Sequence, residues 1–182
     1  MFAKLSKSIL LLFAIVQATL SHAQNWKPTT AAVTFKIKHA LGSTADGSFK
    51  GFSGTVVFDA NNLAGSALKA SIDTKTIDTG LGLRDKTLKG SDYFEVEKYP
   101  KISMVSTKIE KGTKENEYIG YFNLTIKKTT KNVKIPFTFT QNGTNAQLKS
   151  TFQVNRIEYE VGEKSSLLGD VATVSITLNV QQ

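Results

Sequence analysis

Apolar and polar residues alternate through most of the sequence after residue 24. In residues 26–39, for example, Val33, Phe35 and Ile37 share one face, and the residues between them are polar. A period of two is typical of a β-strand with one buried face. Similar runs, separated by turn residues, predict about eight antiparallel strands. A chain of this kind folds as a barrel or a sandwich.

Residues 48–58 interrupt the alternation in a way that favours the barrel. Phe49 and Phe52 are three positions apart, so a strict period of two would send them to opposite faces. A bulge or bend at Gly51 would bring both rings to the same face. Glycines at such points let a sheet curl sharply. Eight strands enclose an interior that side chains fill or that holds one small ligand, and the composition leaves both outcomes open.

Two local signals make specific predictions about the strand at residues 133–142. Pro136 has no backbone N–H, so the strand is expected to be at an edge there, or to have Pro136 at a position without a ladder hydrogen bond. Asn142-Gly143 predicts a two-residue hairpin, since both central residues of that turn type need a positive φ.

Residues 72–94 leave the strand pattern. They pass through an Asp-Thr-Gly turn at residues 78–80 and enter a segment whose Leu83 and charged neighbours suit a short surface helix. We interpret this segment as the one helical crossover of an otherwise all-β protein. We expect its carboxylates to serve turns and caps, with Asp85 beside Arg84 on a solvated face.

The first residues have the features of a secretory signal peptide. A short basic segment precedes an apolar run over residues 9–16, and the Ser-His-Ala sequence at residues 21–23 offers small side chains where signal peptidase reads. We therefore predict a signal peptide at residues 1–23, one domain at residues 24–182, and a periplasmic or secreted location. The apolar run is shorter than the roughly 20 residues that span a bilayer, so no transmembrane segment is expected.

Charge and cysteine content argue against several classes of protein. The chain carries 23 Lys and Arg against 15 Asp and Glu, and removal of Lys4 and Lys7 with the signal peptide leaves a net charge of +6. These basic residues are spread along strands and turns without a long run, so no nucleic-acid surface is expected. Because the chain has no cysteine, packing and strand pairing alone must stabilise the domain.

Few side chains are available for catalysis or metal binding. His39 is the one histidine after residue 23, so neither a zinc site built from His and Cys nor a Cys nucleophile is expected. No Gly-x-Ser-x-Gly motif offers His39 a nucleophile. We therefore predict no metal site, no catalytic residue and no enzyme activity. The alternative is a weak hydrolase or isomerase that uses His39 or the crossover carboxylates.

The apolar face that the strands share is rich in aromatic residues. Core packing explains any one of them, whereas a ligand cavity explains the set. A long apolar tail in such a lumen would gain about 0.8 kcal/mol for each buried CH2 group. The predicted lumen-lining residues are Phe35, Ile37, Phe49, Phe52, Val56, Phe58, Leu68, Ile72, Phe94, Phe122, Leu124, Phe137, Phe139 and Phe152.

Several motifs together match one family. Before the crossover there are a first-strand motif at residues 35–39 (Phe-Lys-Ile-Lys-His) and a Gly-x-Phe…Gly-x-Val-x-Phe-Asp hairpin at residues 47–59. Two later segments lie at residues 120–126 and 155–162. The crossover itself contributes Ile77-Asp78-Thr79-Gly80, Arg84-Asp85, Leu88, Asp92-Tyr93-Phe94 and Glu97-Lys98-Tyr99-Pro100. In this combination the chain resembles the YceI-like family, exported bacterial proteins that are also described as polyisoprenoid-binding. The resemblance covers nearly all of residues 24–182.

The resemblance implies a lipocalin-like, eight-stranded antiparallel barrel whose lumen holds a long isoprenoid or similar amphiphile, with its polar head near the crossover. Three positions depart from the family pattern, which often has His at Thr87 and Gly at Lys128 and Glu160. Thr87 removes a polar contact near the crossover, and we expect the other two to alter only turns. The predicted head-group or rim residues are His39, Arg84, Asp85 and Arg156.

The leading hypothesis from the sequence is an exported binding protein that holds a polyisoprenoid, quinone or fatty-acid-like lipid for transport, storage or sequestration. Its expected partner is this hydrophobic small molecule, with no cofactor, and the sequence also allows a homodimer. The alternative is a structural or partner-binding barrel with a filled core and no ligand. An internal cavity larger than a single water separates the two.

Overall fold

The computed structural model describes residues 24–40 and 42–182, so the predicted signal peptide at residues 1–23 lies outside the described residues. The strands are β1 (Asn25–His39), β2 (Thr44–Phe49), β3 (Ser53–Val57), β4 (Ala67–Asp73), β5 (Lys101–Lys111), β6 (Glu117–Ile126), β7 (Thr129–Asn142), β8 (Asn145–Asn155) and β9 (Leu168–Gln181). The helix α1 spans Gly82–Lys89, and short 3-10 turns lie at Leu63–Gly65, Thr74–Thr76 and Arg156–Tyr159.

The strands form a closed barrel. Neighbours pair antiparallel in chain order from β3 to β9, and β9 closes on β1. β2 and β3 both pair with β1 in one continuous register, with Phe49 opposite Val33 and Val56 opposite Trp26. They therefore occupy a single strand position that is broken at residues 50–52. The result is an eight-stranded antiparallel barrel with one short helix in the described chain, which confirms the predicted fold class.

The break between β2 and β3 contains Gly51. Its φ of +68° lies in the left-handed region, which glycine adopts without strain. A Cβ at this position would lie 2.8 Å from the Cβ of Asp73, so the close approach of the two segments also requires glycine. On either side of the break, Phe49 and Phe52 both line the barrel interior. The predicted bend at Gly51 is confirmed.

Pro136 lies where the pairing of β7 with β8 ends. It is opposite Ile119 of β6, and the pairing of β7 with β8 begins only at the next residue, Phe137. The carbonyl oxygen of Pro136 accepts a hydrogen bond from Ser150 Oγ at 2.6 Å. The strand is therefore at an edge toward β8 at this point, as expected for a residue that has no N–H to donate.

The hairpin between β7 and β8 differs by one residue from the prediction. Asn142 pairs with Asn145, so the two central residues are Gly143 and Thr144. Of these, only Gly143 has a positive φ, at +60°. The turn is a two-residue hairpin as expected, but only its first central residue needs the left-handed region, which is the requirement of a type II′ turn.

An aromatic plug closes one end of the barrel. Trp26, Phe58, Tyr118 and Phe139 form it, and each is at most 5% exposed. The ring centroid of Phe58 lies 4.4 Å from that of Phe139 and 4.9 Å from that of Tyr118. The Trp26 Nε1 donates a hydrogen bond to the Phe58 carbonyl at 3.0 Å, so the polar atom of the indole is satisfied inside the plug.

Two of the departures from the family pattern contact each other. Lys128 lies in the turn between β6 and β7, and its Nζ is 2.9 Å from Oε2 of Glu160. The hydrogen bond to Glu160 raises the pKa of Lys128. Glu160 has a φ of +56°, a conformation that glycine, the usual residue of the family, adopts without strain. The pair is solvent-exposed, so it joins two turns with a small energetic contribution.

Candidate ligand cavity

An internal cavity of about 590 Å³ lies beyond the aromatic plug. This volume is within the range of about 300–1,000 Å³ for small-molecule sites. Alternate residues of the strands form its wall, such as Ala172 and Val174 of β9. Its mouth lies beside α1 and residues 162–168, where Thr87 and Leu167 line the cavity and are exposed to solvent. The barrel is therefore closed at the plug and open at the crossover.

Most of the predicted lumen residues line this cavity. They are Phe35, Ile37, Phe49, Phe52, Val56, Leu68, Ile72, Phe94, Phe122, Leu124, Phe137 and Phe152. Phe58 and Phe139 do not line it, because both are packed in the aromatic plug. Strand periodicity gives the face that a residue occupies but not its depth along the barrel axis, so it could not separate the wall from the plug. The role of these residues in ligand binding stays a prediction.

Sequence reasoning missed parts of the wall for two reasons. Ile102, Met104 and Leu148 also line the cavity. They are aliphatic residues of β5 and β8, whereas the predicted set is mostly aromatic. Tyr93 and Val161 line the cavity from irregular segments, where no periodicity exists to reveal an inward side chain.

Thr79 holds both charged residues of α1 that were predicted at the rim. Asp85 Oδ1 accepts hydrogen bonds from Thr79 N at 2.9 Å and from Thr79 Oγ1 at 2.6 Å. Arg84 donates from Nε to Thr79 Oγ1 and from Nη2 to Thr79 O, both at 2.8 Å. The expected arrangement, with Asp85 beside Arg84 on a solvated face, is therefore wrong, since both are half-buried against the same turn. Arg84 lines the cavity, whereas Asp85 is not among its lining residues.

Arg156 is a buried cation at the cavity, with 7% of its surface exposed. Its Nε donates to Gly169 O and its Nη1 to Val161 O, both at 2.9 Å, and its Nη2 donates to Leu168 O at 3.4 Å. The nearest carboxylate atom in an ion pair, Asp170 Oδ1, is 3.8 Å from Nη2. Backbone carbonyls therefore compensate most of the cost of burying this charge, and Arg156 links Val161 to the first residues of β9.

The charged side chains at the cavity mouth are the guanidinium groups of Arg84 and Arg156, and no Asp or Glu of the described residues lines the cavity. His39, half-buried at the end of β1, lines the cavity beside them. Lys69 and Lys149 also border it but belong to the exposed face of β4 and β8. A mouth with charges of one sign favours ligand groups that are anionic or that accept hydrogen bonds.

Two of the crossover carboxylates, Asp73 and Asp78, serve a cap and a turn, in accordance with the sequence prediction. Asp73 Oδ1 accepts from Lys75 N at 3.0 Å, and Asp78 Oδ1 accepts from Gly80 N at 2.9 Å. Over residues 24–40 and 42–182, no three His, Cys, Asp or Glu side chains are grouped so that they could hold a metal ion. Nor does this part of the chain contain a helix that is long and apolar enough to cross a membrane.

Tyr159, next to the cavity wall, is buried without a hydrogen-bond partner for its hydroxyl among the described residues. Burial and, to a smaller extent, Glu158 raise the pKa of Tyr159 above its ordinary value of about 10. Replacing Tyr159 by Phe is expected to raise the free energy of unfolding by about 1 kcal/mol at neutral pH, because the unpaired hydroxyl no longer has to be desolvated.

The same Tyr159→Phe variant has an expected pH signature. Below about pH 10 the Tyr159 phenol is neutral in both the folded and the unfolded state. Above that pH the phenol ionises first in the unfolded state, because its pKa is raised in the folded state. The free energy of unfolding of the wild type therefore falls as the pH rises toward the raised pKa. The variant lacks this contribution, and its stability advantage should grow with pH in denaturant titrations near pH 8 and pH 11. A variant less stable than the wild type at both pH values would contradict an unsatisfied hydroxyl.

Comparison with known sequences gives consistent matches. The model of the YceI-like domain matches residues 25–181. Protein YceI of Escherichia coli O157:H7 is 36% identical over 105 residues, which are 58% of this chain and 54% of that protein. A UPF0312 protein of Pectobacterium atrosepticum is 35% identical over the same shares. The aligned region thus spans about half the length of these curated relatives.

Solved structures with the same fold include two that cover most of this chain. BcnA of Burkholderia cenocepacia aligns with a TM-score of 0.77 and 27% identity, over 82% of this chain and 95% of that one. A polyisoprenoid binding domain from Saccharophagus degradans aligns with a TM-score of 0.68 over 87% and 98%, but at 11% identity this likeness shows the fold alone. Because the family model matches residues 25–181, nearly all of the described barrel, this protein belongs to the YceI-like family.

Proposed function

We propose that this protein is an exported lipid-binding protein that holds the tail of a polyisoprenoid, quinone or fatty-acid-like lipid inside the barrel. The observation that carries the proposal is the cavity of about 590 Å³, with aromatic and aliphatic walls, closed by the plug and open at the crossover. A wall of this kind favours binding of an apolar tail, because it gives polar groups few hydrogen-bond partners. The polyisoprenoid binding domain of S. degradans, which has the same fold, supports this ligand class.

The same cavity argues against a barrel with a filled core. Its volume is many times that of the roughly 30 Å³ that a water molecule takes in the liquid. Each CH2 group of a tail that replaces solvent there would contribute about 0.8 kcal/mol. A tail of many carbons therefore offsets its own ordering cost without a polar anchor.

We infer that the polar head of the ligand lies at the mouth, near His39, Arg84 and Arg156. These basic side chains line the cavity on the crossover side. The charges of Arg84 and Arg156 support a head that is anionic or that accepts hydrogen bonds, and the proposal assigns all three side chains binding roles without a catalytic step. The basic segment and apolar run before residue 24 support export to the periplasm or the medium for transport, storage or sequestration of the lipid.

Native mass spectrometry of protein purified from its own host is expected to show a mass above that of the polypeptide, and organic extraction should release the lipid. For protein stripped of ligand, a series of single-chain amphiphiles with one head group should bind about fourfold more tightly for each added CH2 that enters the cavity. A polypeptide mass alone, no lipid in the extract and no dependence on chain length would together refute the proposal.

A further inference from the structure

Three exposed leucines lie beside the mouth of the cavity. Leu83 is 85% exposed, Leu167 is 69% exposed and Leu81 is 57% exposed, whereas Val105 and Val171 are 41% and 43% exposed. Every other large apolar side chain of the described residues is less exposed than these five. Isolated exposed leucines are ordinary, but here Leu167 lines the cavity mouth, and Leu81 and Leu83 lie at the start of α1, the helix beside that mouth. We call Leu81, Leu83 and Leu167 the leucine rim.

The stability of the crossover does not account for the leucine rim. Leu81 is the N-cap residue of α1 and makes no side-chain hydrogen bond there, although Ser, Thr, Asp and Asn are strongly preferred at this position. Leu83 lies in the first turn of α1 and contributes almost nothing to the core, because most of its surface is exposed. Its neighbour Arg84 faces the cavity. Leu81 and Leu83 do not line the cavity and are exposed to solvent.

The helix beside the leucine rim is net positive. α1 carries Arg84, Lys86 and Lys89 against a single acidic residue, Asp85. The segments next to Leu81 and Leu167 add two exposed acidic residues, Asp78 and Glu163. The whole chain has a formal net charge of +8, and +6 after residue 23. Exposed apolar side chains beside a basic helix match the surface of a bilayer that contains anionic phospholipid.

We propose that the leucine rim and the basic residues of α1 dock the barrel on an anionic bilayer, with the cavity mouth toward the lipid. This inference rests on the lipid-binding function proposed above and explains how the lipid moves between the bilayer and the lumen. An apolar tail enters or leaves the lumen at the membrane interface without crossing water, which is the costly step for such a ligand. The leucines insert at the level of the head groups, and Lys86 and Lys89 contact the phosphates.

Vesicle flotation tests the docking surface with ligand-stripped protein. The wild type should float with phosphatidylcholine vesicles that contain phosphatidylglycerol, and much less with phosphatidylcholine alone. The double variant Leu81→Ser/Leu83→Ser should bind the anionic vesicles at least tenfold more weakly, since two apolar side chains no longer enter the interface. Serine is a preferred N-cap residue, so the variant keeps α1 folded. Val105→Ser, which removes an exposed apolar side chain from the outer face of β5, is the matched control and should bind like the wild type.

The charge component has a separate test. Lys86→Gln/Lys89→Gln should weaken binding to the anionic vesicles by roughly tenfold at low salt and leave binding to neutral vesicles unchanged. High salt should weaken the wild type in the same way, because it screens the surface charges.

Several outcomes would overturn docking at the leucine rim. They are no flotation of the wild type at low salt, equal flotation of the leucine variant, and a concentration-dependent dimer that the leucine variant abolishes in the absence of vesicles. The last would assign the rim to a second copy of the chain. Binding of a soluble amphiphile, measured without vesicles, separates the two proposals. The leucine variant should still bind the amphiphile, because the rim acts only on vesicles. If the lipid-binding proposal fails, the wild type should not bind the amphiphile but should still float with the vesicles.

Discussion

Phe58→Ala is expected to lower the free energy of unfolding by about 4 kcal/mol. Phe58 is 1% exposed, and its ring contacts those of Tyr118, Phe137 and Phe139. Truncation removes the central ring of the aromatic plug and leaves a cavity that its rigid aromatic neighbours cannot fill. Denaturant unfolding with tryptophan fluorescence measures the change, since Trp26 lies in the same cluster.

Phe35→Ala is the control for this prediction. Phe35 has the same side chain, but it is only half-buried and already lines the ligand cavity. Its truncation enlarges an existing space and is expected to cost about 1–2 kcal/mol. Equal losses for the two variants would contradict the division of the interior into a packed plug and an open cavity.

Ala172→Trp is expected to weaken binding of a long-chain ligand by about 100-fold. Ala172 of β9 lines the cavity between Ile37 of β1 and Val154 of β8. An indole at this position would fill space that the tail occupies, equivalent to the loss of about three to four buried CH2 groups at about 0.8 kcal/mol each. Titration of ligand-stripped protein with one amphiphile measures the change in Kd.

Thr173→Trp is the matched control for the blocked cavity. Thr173 is the next residue of β9 and is not among the cavity-lining residues, so its indole lies on the outer face of the barrel. This variant should bind the ligand like the wild type. Normal binding by Ala172→Trp, in a protein that unfolds like the wild type, would place the ligand outside the lumen and refute the proposed site.

Local chemistry explains which parts of the fold could be predicted. Alternation identifies the face of each strand because successive side chains point to opposite sides of a sheet. The bend at Gly51 followed from Phe49 and Phe52, which could reach one face only if the chain broke between them. The hairpin at Asn142-Gly143 was correct in position but not in register, since a Gly at the first central position satisfies a different turn type.

The rim shows where local reasoning fails. Arg84 and Asp85 are adjacent in sequence, and a solvated pair was the natural expectation. In the structure each side chain folds back to Thr79, five or six residues away, so their hydrogen bonds depend on the turn before α1. Leu81 and Leu83 are exposed, and no periodicity in a helix of eight residues shows which side faces solvent.

The strand pattern, the break at Gly51, the helical crossover and the aromatic inward face could all be predicted from the residues. These features depend on backbone geometry and on a period of two, which act over a few residues. The closed barrel was needed to show that Phe58 and Phe139 fill one end while Phe35 and its neighbours surround a cavity. That outcome depends on the depth of each side chain along the closed barrel, which is set by the stagger of strands that are distant in the chain.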